Sequence, residues 1–349
     1  MKEDTKKNIR KYLQKYLLIG SVIIVIVVVL LLRSGYSTIF KANTREGVGY
    51  LYIPTGATYE QLLDSIRTLG RIVNINSFER VAKFEKLQAN IKPGRFKIEE
   101  GMGNREIVRA IKYGWQAPTK IIIAGNIRTK EKLALILSRK IESDSLSILN
   151  LLNNENFADS LGFNSQTFLA MFLPNTYEVY WTITPKELVI KLKTEYDKFW
   201  NNERVAKAKS IGLSPVEVIT LASIVSQESN IKEEQPIIAG VYMNRLHNKI
   251  PLQADPTIKF ALNDTSIKRI LFKHLKINSP YNTYKNLGLP PGPIVIPSLF
   301  TIDAVLNYKR HSFWYFCAKP SLDGSHCFSS TLAGHNRNAR AYQKAISRL

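Results

Sequence analysis

The sequence predicts an α+β protein held at a membrane by one N-terminal helix. Three observations carry that expectation. Residues 16–32 (YLLIGSVIIVIVVVLLL) are continuously apolar apart from Ser21. Between residues 53 and 137, a β-rich segment, a glycine-containing turn and a helix with apolar residues every three or four positions recur. From Ser214 onward, an apolar helix with a strong start gives way to short, turn-rich pieces.

As a helix, the apolar run spans roughly 25 Å at about 1.5 Å per residue, enough to cross a bilayer with its flanking residues. The sequence Arg33-Ser34-Gly35-Tyr36 offers no small-x-small cleavage site, so the run reads as a signal anchor rather than a removable leader. Lys2, Lys6, Lys7, Arg10, Lys11 and Lys15 all precede it, and the positive-inside rule then keeps the N-terminus cytoplasmic and sends the remainder outside. The expected layout is a cytoplasmic tail (1–15), a transmembrane anchor (16–33), a linker (34–48), a small subdomain (49–116) and a larger domain (117–349), single-pass in the cytoplasmic membrane.

With 349 residues and 45% hydrophobic content, the chain can bury one large core or two moderate ones. A net charge of +21 would suggest nucleic acid in a soluble protein. The anchor argues against that partner. So does the scatter of the basic residues (Lys186, Lys191, Lys193, Lys207, Lys209, Lys268, Lys273, Lys276), which form no RNA-binding signature. Cys317 and Cys327 flank an Asp323-Gly324 turn between strand-like runs, and pairing about Leu322 would face the sulfurs across a hairpin. Two buried thiols are favoured over a disulfide.

The elements follow in order. Ile53-Pro54-Thr55-Gly56 leads into a helix with Leu62, Leu63 and Ile66 on one face, and residues 98–103 lead into another with Ile107, Val108 and Ile111. A helix around 78–87 lies between, making a small β-α-α-β unit. Residues 122–126 lead to a helix from Thr129, and 129–211 reads as mainly helical, with one long helix over 188–209 charged on one face. An exposed helix from Asn338 ends the chain.

The most informative segment is 221–229, LASIVSQES. Its helix starts at a capping box, Ser214-Pro215-Val216-Glu217, with proline at the first helical position. Counting back from Glu228 by three, four and seven gives Val225, Ile224 and Leu221, so the carboxyl lies on an apolar face. Desolvation there keeps its proton on near neutral pH and suits it to general-acid work. Downstream lie Asn244-Arg245-Leu246, residues 253–257, Tyr281-Asn282-Thr283-Tyr284, the Gly/Pro run 288–293, and His326, Phe328, His335 and Asn336. Polar donors among aromatic faces are what a sugar-binding cleft needs. Taken singly, each has an ordinary reading: Asp255-Pro256 as a turn, the Gly/Pro run as a rigid loop, a lone histidine as a satisfied core residue.

Taken together, ASIVSQES, GVYMNRL, LQADPT, YNTY, GLPPGPI and HCFSSTLAGHN, in this order and spacing, resemble the YceG-like family of endolytic murein transglycosylases over roughly residue 50 to the C-terminus. The resemblance implies that Glu228 is the catalytic residue. Where relatives commonly carry a second glutamate, this chain has Ser226, and residues 169–177 (LAMFLPNTY) lack two carboxylates usual in a further motif. It implies a LysM-like subdomain, which would bind GlcNAc-containing glycan or act as a spacer, ahead of the catalytic domain. The implied reaction cleaves the MurNAc-β-1,4-GlcNAc bond of nascent glycan strands and leaves 1,6-anhydroMurNAc ends, ending strand elongation. Implied partners are peptidoglycan strands, the lipid bilayer and peptidoglycan synthases. Neither metal nor organic cofactor is expected.

Candidates for substrate binding are Gln253, Asp255, Thr257, Tyr281, Asn282, Tyr284, His326, His335 and Asn336. The other readings are a hydrolytic muramidase, which would need a positioned water, and a non-catalytic cell-wall-binding scaffold. A pyridoxal-phosphate lyase would need a Schiff-base lysine beside a phosphate-binding Gly-rich turn, and neither is evident. The basic surface then reads as a solvated face, or as attraction to anionic headgroups or cell-wall peptide carboxylates.

Overall fold

The computed structural model describes residues 2–264, 267 and 269–348, so Lys268 and Leu349 lie outside the described residues. The chain divides into two compact units. The first holds the residues up to Thr119 with Tyr180–Thr182, and the second holds Lys120–Val179 and the chain from Ile183. Helices and small two-stranded sheets are mixed throughout, as the α+β expectation requires.

The first unit opens with α1 (Lys2–Phe40), whose stretch Lys15–Phe40 contains an 18-residue segment with a mean hydropathy of 2.9 and is long and apolar enough to cross a membrane. The helix runs on past Arg33, through the first part of the segment expected to be a linker. Its end is pinned rather than loose. Ala42 and Thr44 form β-bridges to Gly103 and Ile72, and a Cβ at Gly103 would come within 2.9 Å of the Phe40 carbonyl.

Strands β1 (Gly49–Ile53) and β2 (Gly94–Ile98) pair antiparallel with Leu51 opposite Phe96. Between them lie α2 (Tyr59–Leu69), opened by a Thr58/Gln61 capping box and closed by Gly70 at φ +64°, and α3 (Ile75–Phe84), capped by Asn74. The β-α-α-β order expected for 49–116 is present. Its second helix sits a few residues earlier than expected, because the Asn74 side chain accepts from the Ser77 amide and so begins α3 at Ile75. Helix α4 (Asn104–Tyr113) completes a core of Leu51, Ile53, Phe78, Phe96, Ile107 and Ile111, all essentially inaccessible to solvent.

Beneath this core is a buried polar knot. Asn43 donates to the Asn104 Oδ1 (2.6 Å), the Ser77 hydroxyl and the Asn74 carbonyl, while Asn104 donates to Ser77 and to the Thr38 carbonyl near the end of α1 (2.9 Å). The side-chain polar atoms of Asn43, Ser77 and Asn104 all have partners, so the knot joins the last turns of α1 to the small sheet subdomain.

In the second unit β3 (Thr119–Ile123) pairs with β4 (Asn175–Val179), flanked by α5 (Lys130–Ser138), α6 (Ser145–Leu152) and α7 (Glu155–Ser160). The single helix expected over 188–209 is two, α8 (Pro185–Phe199) and α9 (Asn202–Ser210). Trp200 leaves helical geometry, and the Asn201 side chain caps the Arg204 amide, starting a new helix. Next come α10 (Pro215–Glu228), α11 (Gln235–His247), α12 (Asp255–Leu262) and α13 (Leu299–Leu306).

Strands β5 (Tyr315–Ala318) and β6 (His326–Ser329) form an antiparallel hairpin that places Cys317 opposite Cys327. Both are free thiols, and both are part-exposed rather than buried, because every position of β5 keeps some contact with solvent. The final helix, α14 (Leu332–Ile346), begins at a Thr331 cap, six residues before the expected start, which moves His335 and Asn336 from a loop onto a helix.

Asn104→Ala should lower the denaturation midpoint of the detergent-solubilised chain by the equivalent of about 1–3 kcal/mol, because it strands the Thr38 carbonyl and removes the acceptor of the shortest Asn43 bond. An unchanged midpoint would mean that water reaches the knot.

Candidate active site

Helix α10 supplies the central carboxyl. Its capping box forms as expected: the Ser214 hydroxyl accepts from the Glu217 amide, and the Glu217 carboxylate accepts from the Ser214 amide at 2.8 Å. Residues 218–225 are all buried, so the helix is fixed all round rather than along a stripe. Ser223, the polar residue in the middle, is satisfied by donating to the Thr220 carbonyl and accepting from the Ile294 amide. Glu228 emerges half-buried at the helix's C-terminal end, at the floor of a cleft of about 450 Å³.

Helix α11 packs beside it and is held from another side by residues 309–311. A Cβ on Gly240 would collide with the Lys309 carbonyl and the His311 ring. That contact fixes Tyr242, two residues on, whose buried hydroxyl donates to Glu228 Oε1 at 2.6 Å. Burial pushes the Glu228 carboxyl up to about 7; the Tyr242 hydrogen bond and the charge of Lys259 oppose the rise, and the negative charge of Asp255 adds to it. The C-terminal end of a helix is also the wrong end of the peptide dipoles for a carboxylate. The carboxyl is therefore poised to hold or release a proton near neutrality. Burial, with the neighbouring Glu228 carboxyl, keeps the Tyr242 phenol far above its usual range, so it acts as a donor only.

The walls carry several of the residues expected from the sequence. Gln253, Asp255, Tyr284, His326 and His335 all line the cleft. Asp255 opens α12 and accepts from the Tyr284 hydroxyl at 2.6 Å. His326 is gripped by Glu234, one carboxylate oxygen facing its Nδ1 at 2.7 Å and the other accepting from its amide at 2.8 Å. Burial raises the Glu234 carboxyl, but the bonds from His326 outweigh it and hold it below the ordinary value. The His335 ring stacks on Tyr315, and burial followed by the nearby Arg245 charge lowers its pKa, keeping it neutral.

Four expected residues do not reach the cleft. Thr257 is fully buried, and its hydroxyl is spent on the Ala254 carbonyl and the Thr283 hydroxyl. Asn282 is fully buried and braces its own loop, donating to the Leu275 and Ile277 carbonyls and accepting from the Tyr284 amide. Tyr281 packs its ring on Phe260. Asn336 is exposed on α14, outside the cleft lining, and Asn338 rather than Asn336 reaches back to the hairpin, donating to Ser329 at 3.0 Å.

Three residues outside the expected substrate-binding set matter at the site, and of these only Arg245 was named from the sequence, as one of the polar residues. Tyr242 lies within the GVYMNRL motif, and its spacing after Glu228 gives no hint of a hydrogen bond. Arg245, in the same motif, is buried and donates to the Pro251, Leu252 and Trp314 carbonyls and to the Gln253 side chain, so it ties the loop and the hairpin to α11. Phe316 packs edge-on against both Tyr242 (5.9 Å) and His326 (5.5 Å). Among the described residues, no group of histidine, cysteine or carboxylate side chains is arranged to hold a metal ion.

The YceG-like family model matches residues 51–341. A Bacillus subtilis (strain 168) protein named endolytic murein transglycosylase is 26% identical over 304 residues, covering 83% of this chain and 83% of that one. A protein of the same name from Streptococcus pneumoniae (strain D39) is 25% identical over 315 residues, covering 82% of this chain but only 57% of the longer relative. A 2.6 Å crystal structure of a Listeria monocytogenes protein described as yceG-like superposes with a TM-score of 0.55 at 25% identity, covering 83% of this chain and 98% of that one.

The poised carboxyl has a consequence for stability. Unfolded, it titrates near 4.5; folded, near 7. Between those values the unfolded chain binds fewer protons, so this group's contribution to stability falls as pH rises from about 4.5 through 7. Glu228→Gln removes the titration, and its melting temperature relative to the unsubstituted protein should therefore be higher at pH 8 than at pH 5. A difference that does not change with pH would mean that the carboxyl titrates normally.

Proposed function

The chain belongs to the YceG-like family, and from that membership and the Glu228 cleft we propose that it is a lytic murein transglycosylase that cleaves the MurNAc-β-1,4-GlcNAc bond endolytically. The observation that carries the proposal is a half-buried carboxyl, raised to about 7 and held by Tyr242, at the floor of a cleft walled by polar and aromatic side chains.

Breaking a glycosidic bond ordinarily takes two carboxyl groups, one as acid and one as base or nucleophile. A lytic route needs only one. Protonated Glu228 gives its proton to the bridging oxygen, and the GlcNAc leaves with a free 4-hydroxyl. The resulting carboxylate then takes the proton of the MurNAc C6 hydroxyl as that oxygen bonds to the anomeric carbon. Water is not consumed, the ring closes as 1,6-anhydroMurNAc, and Glu228 ends protonated as it began. Tyr242 occupies one carboxylate oxygen and leaves the other for the substrate. Asp255, fixed by Tyr284, supplies negative charge to the oxocarbenium-like transition state, and Gln253, His326 and His335 position the sugar.

The same reading makes the apolar helix a single-pass anchor with the N-terminus cytoplasmic, and it makes the two-stranded subdomain at 49–116 a LysM-like module ahead of the catalytic domain. It places the enzyme beside the synthases whose nascent strands it cuts, ending their elongation. One observation favours a second reading: Asp255 lies in the same cleft, and its charge is felt at Glu228, as a hydrolytic muramidase would use it.

Uncross-linked glycan strands incubated with the protein should end in 1,6-anhydroMurNAc. Predominantly reducing MurNAc ends, heavier by one water, would refute the lytic mechanism in favour of the hydrolase. Glu228→Gln should stay folded and lose at least ~10³-fold in turnover, within the range general acid–base catalysis supplies.

The acid must be protonated to start the reaction, so activity should fall as pH rises above about 7. Tyr242 donates to the charged form; Tyr242→Phe should raise the carboxyl's pKa further and move that limb of the pH profile to higher pH. A limb that stays in place would separate Tyr242 from the acid.

A further inference from the structure

Glu234 stands at the start of α11, between the end of the catalytic helix and the C-terminal hairpin, and it is buried. Both of its oxygens are engaged. One accepts from the His326 amide at 2.8 Å; the other faces the His326 ring at Nδ1, 2.7 Å away, and accepts from the Ser229 hydroxyl at 3.2 Å. Ser229 follows Glu228 directly, so this one carboxylate joins the end of α10 to the first residue of β6.

The charge on Glu234 decides which ring nitrogen of His326 carries a proton. The bonds from His326 hold the carboxyl below its ordinary value, so near neutral pH it is ionised and can only accept. An acceptor facing Nδ1 requires a proton there. In the neutral imidazole that leaves Nε2 as a bare lone pair. Phe316, edge-on at 5.5 Å, packs against the ring. The ring lines the cleft. Among the described residues Nε2 has no hydrogen-bond partner and is not one of the unpaired polar atoms sealed from solvent, so its lone pair is open on the cleft side.

The lytic reaction has a use for such an acceptor. At its start Glu228 is protonated and its Oε1 is engaged by Tyr242, so it becomes a good acceptor for the MurNAc C6 hydroxyl only after its own proton has gone to the bridging oxygen. Until then another group must keep that hydroxyl aimed at the anomeric carbon. A neutral lone pair suits the task, because it holds the O–H without removing the proton.

We propose that Glu234 is a positioning residue that fixes His326 as the Nδ1–H tautomer, so that His326 Nε2 accepts a hydrogen bond from the MurNAc C6 hydroxyl and orients the attacking oxygen. The inference rests on the transglycosylase reading. No proton passes to His326: the hydroxyl turns to the Glu228 carboxylate once that group has protonated the leaving oxygen, and Glu228 takes the proton as the new bond forms.

Glu234→Gln keeps the shape and reverses the pattern. The His326 amide claims the one remaining side-chain oxygen, which puts an NH2 donor opposite Nδ1; the ring proton then moves to Nε2 and the acceptor is lost. The test uses the full chain in detergent. With 15N-labelled histidine at pH 8, His326 should show a proton on Nδ1 and none on Nε2, and the reverse in Glu234→Gln. Its signal is identified among the five histidines by its loss in His326→Gln. On uncross-linked strands Glu234→Gln should lower kcat about a hundredfold and leave KM within about twofold, the size of effect that misplacing a reacting group produces. In a His326→Gln background, where an amide can turn its own oxygen to the substrate, the same substitution should cost less than about threefold.

A proton on Nε2 of the unsubstituted chain, or an unchanged tautomer in Glu234→Gln, would overturn the proposal. So would a loss confined to KM, or one equally large in the His326→Gln background, because either would make Glu234 a brace for the turn alone. If the unsubstituted protein leaves no 1,6-anhydroMurNAc ends, the transglycosylase reading fails and takes the C6 contact with it. If those ends form while Nε2 is protonated, only the positioning role fails.

Discussion

The placement of one carboxyl constrains the rest of the second unit. Glu228 sits where a carboxylate is least welcome: behind it lies the wholly buried segment 218–225, and around it lie the unpaired carbonyls of a helix end. A charge there would be expelled or neutralised. The compensations are the Tyr242 hydroxyl and the nearby Lys259, and they hold the group between its two protonation states rather than fully in one. Helix α11 must then lie close enough to deliver Tyr242, and on another side it is held against residues 309–311 so tightly that Gly240 has no room for a side chain. The turn after Glu228 is secured as well. Ser229 donates to Glu234 and accepts from the Ile231 amide, and Gln235 donates to the Ser229 carbonyl while accepting from Thr301.

The cleft walls come from segments with little regular structure, and such segments leave backbone groups without helix or strand partners. The protein satisfies them with buried side chains. Arg245 takes three carbonyls from two different segments, Asn244 takes those of His311 and Phe313, and Asn282 takes two more. Thr283 lends its hydroxyl to the Ala254 amide and its carbonyl to Gln253, which is held at φ +53°. A strained, exposed glutamine kept in that conformation from below is what a loop looks like when its position matters.

That division of labour explains what was legible in the sequence and what was not. Glu228 could be found because a helix with a marked start and an apolar run must present its last residue at a predictable place. The β-α-α-β order was equally legible, since Gly-containing turns and three-to-four spacing are local signals. Thr257 and Asn282 looked like sugar ligands because polar residues in turn-rich stretches have the same composition whether they face substrate or brace the loop. Only the burial of each side chain tells them apart. Tyr242 was hidden because its partner lies 14 residues back, and Arg245, noted as one of the polar residues, could not be read as a brace because its partners lie up to 69 residues on. The break at Trp200-Asn201 was missed because charged periodicity continues across it, while the Asn201 cap is a short local feature.

The two carboxyl groups of the cleft also differ in a way that bears on mechanism. Glu228 faces an apolar interior, which favours its neutral form, whereas Asp255 is exposed at the first turn of α12, where the helix dipole favours a negative charge, and it is held there by the Tyr284 hydroxyl. Glu228 is thereby suited to act as the acid. In the proposed reaction Glu228 carries both proton transfers, Asp255 steadies the positive charge that develops between them, and the attacking oxygen is the substrate's own.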